Sequence, residues 1–114
     1  MKVDILLPTE YITKSGSLAR LSSDLTSSVE NYLVGLLLEY EGGIMKSNIE
    51  GYCNSVKGII TKSKYNVLTV YTENHNLVNA LVNSNIIPSI CEKLKQESIG
   101  IIVDSKFICI SRVI

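Results

Sequence analysis

A chain of 114 residues is long enough for one compact domain and too short for two. Its 46% hydrophobic content supplies a core without a disulfide or metal staple and excludes a disordered chain. Eleven Lys and Arg balance eleven Asp and Glu, and this zero net charge excludes the overall basicity of a free-standing nucleic-acid binder.

Residues 3–7 (VDILL) read as a short strand or extended arm closed by Pro8, and the run is too short for a signal peptide or membrane span. Thr9–Leu21 lacks periodicity. The expected division is therefore an irregular leader over 1–21 and a single domain over 22–114. A helix is predicted over 22–40, opening at the Ser22/Ser23 cap with Asp24 in its first turn. Leu25, Val29, Leu33, Leu36 and Leu37 give it one apolar stripe, and Gly42-Gly43 ends it. Ser47-Asn48-Ile49-Glu50 has the form of a capping box, so a second helix is predicted over 47–61, weakened by Gly51 and Gly58.

Val67–Tyr71 is β-branched and reads as a buried strand. Glu73–Asn76 is a polar turn, and Leu77, Ala80 and Leu81 share a face of a short helix. Residues 86–91 read as a strand with Pro88 near its start, and 92–98 as a short helix. Two final strands, 101–103 and 107–113, flank Asp104-Ser105. The alternation of helices and strands predicts an α/β fold, a three-layer α-β-α sandwich with a mixed four- to five-stranded sheet.

Little in the chain points to chemistry. Cys53, Cys91 and Cys109 form no CxxC pair and read as buried thiols of a reducing compartment, not as metal ligands. The single histidine, His75, lies two residues after Glu73 in a polar turn. An enzyme built on His75 is the weakest reading, because no nucleophile motif or phosphate loop accompanies it. No cofactor, metal or small-molecule substrate is expected. What remains is a set of cations, Lys57, Lys62 and Lys64, beside Asn54. Lysines at a predicted helix C-terminus are favoured by the helix dipole anyway, but they are also suited to phosphate.

The segment GYCNSVKGIITKSKYNVLTVYTE (51–73) resembles the helix–loop–strand signature of the kink-turn-binding ribosomal proteins. Asn54, Val56, Ile60, Lys62, the 67–70 strand and Glu73 fall in that frame. Within that superfamily the chain is most similar to the eukaryotic small-subunit ribosomal protein twelve family, through LVNAL at 77–81, Ile87-Pro88 and the final FICISRVI. Ser55 and Gly58 stand where kink-turn binders carry Glu and Lys, which implies loss of direct reading of sheared G·A pairs.

The resemblance implies a non-catalytic structural component of the small ribosomal subunit, a cytoplasmic ribonucleoprotein part engaged in translation. It implies rRNA and ribosomal-protein partners, no membrane, and RNA-binding residues Asn54, Lys57, Lys62, Lys64, Asn74, His75 and Gly100. The alternative reading is a protein–protein interaction module without an RNA role, to which the tyrosines Tyr32, Tyr40 and Tyr52 would contribute.

Overall fold

The computed structural model describes residues 1–54 and 60–112. Its elements are β1 (Lys2–Pro8), β2 (Glu10–Ile12), β3 (Leu18–Arg20), α1 (Ser23–Leu38), β4 (Met45–Asn54) and β5 (Ile60–Tyr71). They continue through α2 (His75–Asn83), α3 (Ile86–Lys93), β6 (Ser98–Val103) and β7 (Lys106–Ser111).

In β1 the buried residues Val3, Ile5 and Leu7 alternate with the less buried Lys2, Asp4, Leu6 and Pro8, the period of a strand with one face in the core. This strand pairs on both of its edges. It meets β5 from Lys2↔Tyr71 to Pro8↔Tyr65, and β6 from Val3↔Val103 to Ile5↔Ile101. The sheet order is β4-β5-β1-β6-β7, and every pairing is antiparallel. The β6–β7 hairpin closes through Asp104 (φ 48°) and Ser105 (φ 70°), two successive left-handed residues whose twist suits a two-residue hairpin turn.

Helices α1 and α2 obey their sequence signals. Ser22 caps α1 by accepting the amide of Leu25 at 3.2 Å, and Val29, Leu33 and Leu37 form its buried stripe. Asn74 caps α2, accepting the amide of Asn76 at 3.0 Å, so that Leu77 and Leu81 turn inward. From α3 come Ile87, Ile90 and Cys91. These side chains pack on Val3, Ile5, Leu7, Leu68, Val70, Ile99, Ile101 and Ile110 to make the core.

By register, all eight of those strand residues project from one face of the sheet. The architecture is therefore two layers, helices on one face of an antiparallel sheet, and the expected three-layer sandwich with a mixed sheet is corrected. Antiparallel strands can join through hairpins, so no crossover helix has to cover the second face.

Three further expectations change. Of the predicted helix over 47–61, the described residues 47–54 and 60–61 belong to strand β4 and the start of β5. Glu50, read as half of a capping box, instead forms a cross-strand ion pair with Lys62 at 3.1 Å. Ladder pairing along ten residues of β4 outweighs a local signal worth about 1 kcal/mol. Residues 86–91, predicted as a strand, are helical. Pro88 sits in the first turn of α3, where the missing N–H has no helical partner to lose. The expected leader over 1–21 is the central strand β1 followed by the small β2–β3 hairpin.

Of the cysteines, Cys91 is buried, its thiol 3.6 Å from the Ile110 carbonyl, and burial pushes its pKa up with a further push from nearby Cys109. Cys109 is exposed, against expectation.

Two stability predictions follow from this packing. Val70 is 1% exposed on the helix-covered face, so Val70→Asp leaves an uncompensated buried charge. Chemical denaturation should register a loss of at least about 3 kcal/mol. Gly100 lies beneath the Phe107 ring, and a Cβ there would meet Phe107 Cε2 at 2.5 Å. Gly100→Ala should cost about 1 kcal/mol, because the ring must leave the sheet surface, and much less in a Phe107→Ala background. A double-mutant cycle by urea unfolding measures that coupling.

Candidate functional site

Where α3 ends the chain turns sharply. Lys95 adopts the left-handed conformation (φ 56°), and the amide of Gln96 donates to the Cys91 carbonyl at 2.8 Å. The Gln96 side chain then reaches across the molecule, donating Nε2 to the Glu10 carbonyl at 2.7 Å. That bond ties the exit of α3 to the β2–β3 hairpin. The hairpin is closed by Thr13 N donating to the Ser17 carbonyl at 2.8 Å and by Gly16 at φ +85°, a conformation glycine adopts without strain.

Between these two structures lies an open cleft of about 990 Å³. One wall is Tyr11, Ile12, Thr13 and Lys14 from the hairpin. The other is Glu92 at the end of α3, Lys95, Gln96 and Glu97 of the turn after it and Ser98 at the start of β6, joined by Arg112 beyond β7. The Arg112 amide donates to the Glu97 carbonyl at 2.8 Å, which fixes the C-terminal segment against that turn. Lys95 Nζ stands 4.4 Å from the Tyr11 ring centroid, a cation–π contact spanning the cleft.

The cleft therefore offers three cations (Lys14, Lys95, Arg112), two carboxylates (Glu92, Glu97), a phenol and two hydroxyls around one space. Charges of both signs flanking an aromatic wall suit a zwitterionic small molecule with a flat ring. Among the described residues no cluster of His, Cys, Asp and Glu could hold a metal ion. Nor, among them, is any helix long and apolar enough to cross a membrane.

The described residues among those expected from sequence lie elsewhere and are not brought together. Asn54 is the last residue of β4, and Lys57 lies outside the described residues. Lys62 is paired with Glu50, and Lys64 is the cross-strand neighbour of the same Glu50. Asn74 is the cap of α2 and His75 its first residue. Gly100 lies on the sheet under Phe107. Along β5 alone, nine residues separate Lys62 from Tyr71, roughly 30 Å of extended chain. Lys62 and Lys64 therefore lie far from the Asn74–His75 turn.

The cleft residues were missed because Tyr11–Lys14 sit in a segment without periodicity, while 92–98 reads as a short helix and Arg112 as part of the last strand. The one available signal was the concentration of Tyr, Lys and Glu at those breaks.

The sequence matches no protein-family model and no curated protein. Among solved structures the fold is similar to that of a phage SAM lyase in complex with S-methyl-5′-thioadenosine. The TM-score is 0.58 and the identity 8%, over 96% of this chain and 88% of that one. This corrects the ribosomal resemblance and what it implied. Residues 51–54 and 60–73, read as helix, loop and strand, are parts of β4 and β5 and the turn into α2, and Asn54 ends a strand instead of opening a helix. The ribosomal role, the rRNA and ribosomal-protein partners, and the expectations of no catalysis and no small-molecule substrate are corrected by this likeness, which is to a lyase solved in complex with a small molecule.

Proposed function

We propose that this chain binds a sulfonium nucleoside of the SAM kind in the cleft between the β2–β3 hairpin and the α3–β6 turn, and releases S-methyl-5′-thioadenosine from it. The observation that carries this reading is the likeness to the lyase complex over nearly the whole of both chains. The chemistry of the cleft agrees with it. SAM combines a flat purine, a sulfonium cation and an amino-acid carboxylate. Tyr11 supplies an aromatic wall for the first, Glu92 and Glu97 an attraction for the second, and Arg112 and Lys14 partners for the third.

Releasing the thioether requires the bond between sulfur and the amino-acid fragment to break, with its electron pair staying on sulfur, while the fragment's own carboxylate oxygen bonds to the carbon that sulfur leaves and closes a five-membered lactone. Positioning the sulfonium beside fixed charges is the contribution this cleft can make to that step.

Titration calorimetry with SAM and with S-methyl-5′-thioadenosine tests the assignment, because the product lacks both the positive sulfur and the carboxylate. Tyr11→Ala should weaken both ligands. Glu97→Gln and Arg112→Ala should weaken SAM about tenfold or more, the size of one charge-assisted contact, and leave the thioether nearly unchanged. Chromatographic detection of the thioether after incubation with SAM reads the cleavage. No binding of either ligand at millimolar concentration, with no thioether formed, would overturn the reading.

A further inference from the structure

All three helices pack on one face of the sheet, and no described element covers the other. By register that second face carries Tyr71 and Phe107, each 60% exposed, together with Met45 at 54% and Ile49 at 41%. Leu6 and Ile102 lie between them, partly buried. An apolar and aromatic surface of this extent is not what an isolated soluble domain ordinarily presents to water.

We propose that this face is a self-association surface whose occupant is the same face of a second copy of this chain. The charge pattern singles out that partner. Among the described residues the face bears only two charged side chains, Lys2 and Asp4, 3.9 Å apart and opposite in sign. Asp4 also accepts a hydrogen bond from Thr69 on the neighbouring strand. Such a face has no excess of cations to attract nucleic acid or an anionic membrane. Two copies meeting face to face bring no net repulsion, and a symmetric contact lets Lys2 of each reach Asp4 of the other.

The size is also adequate. Strands of 10, 12, 7, 6 and 6 residues at ~3.3 Å per residue and ~4.8 Å spacing give a face of roughly 650 Å² in plan. A standard stable interface takes about 800 Å² of accessible surface from each partner, which side-chain relief on such a plane supplies. The inference is independent of what the cleft binds.

Sedimentation of the whole chain at micromolar concentrations tests it. The wild type should run as a multiple of its 12.6 kDa mass, and Phe107→Glu or Tyr71→Glu should return it toward 12.6 kDa. Circular dichroism checks that each variant is folded. A second readout needs no variant. Cys109 is exposed on this face, opposite Gly100, so its alkylation, located by mass spectrometry, should slow several-fold as the protein is concentrated.

A wild type that stays at 12.6 kDa with concentration-independent alkylation of Cys109 would overturn the proposal. So would an oligomer that both variants leave intact, since another surface would then hold it. Capture of the monomer by neutral phosphatidylcholine vesicles, lost in Phe107→Glu, would assign the face to a membrane instead and equally overturn it.

Discussion

The structure depends on a short strand paired on both edges. β1 contributes only seven residues, yet it joins β5 to β6 and places Val3, Ile5 and Leu7 at the centre of the core. Without it the β4–β5 hairpin and the β6–β7 hairpin would be separate two-stranded ribbons, which are marginal in water. The helices could then find no continuous apolar surface to cover. Val70, Leu68 and Ile101 are buried because β1 holds their strands side by side beneath α1, α2 and α3.

The same strand positions the cleft. Immediately after Pro8 the chain turns into the β2–β3 hairpin, and Leu21 N donates to the Thr9 carbonyl at 2.9 Å to bring the chain back at the start of α1. The hairpin is thus anchored at both ends to the sheet, and Gln96 ties its flank to the turn after α3. Tyr11 and Lys95 face one another across that junction because backbone hydrogen bonds fix both walls, not because the two side chains attract strongly. An exposed cation–π contact contributes only about 0.5–1 kcal/mol.

Legibility in the sequence followed the strength of local patterns. α1 was readable because its cap and apolar spacing agree with its burial, α2 because its apolar spacing does, and the β6–β7 hairpin because two short apolar strands flank a polar pair. β4 was not readable. Its ten residues include Ser47 and Glu50 at helix-capping spacing, and only the partner strand decides that Glu50 faces Lys62. α3 was misjudged for a related reason, since an apolar run containing proline suits an edge strand or a first helical turn equally well. The site was the least legible part. Tyr11 lies 86 positions from Glu97 and 101 from Arg112, and no short-range motif links them. Conversely, the basic segment that looked most like a site is partly neutralised across its own hairpin by Glu50.

The position of β1 also governs when this protein can acquire its shape. The strand is made well before its partners, residues 65–71 and 101–103, so the sheet cannot close until β6 has been made. Loop closures of that length are slow compared with helix formation, so α1 should form while the apolar strand β1 still lacks its partners. Such a strand is a target for pairing with other chains during that interval. The interval ends only when β6 emerges. Production of this protein should therefore respond strongly to temperature and to holding chaperones, even when the finished fold is stable.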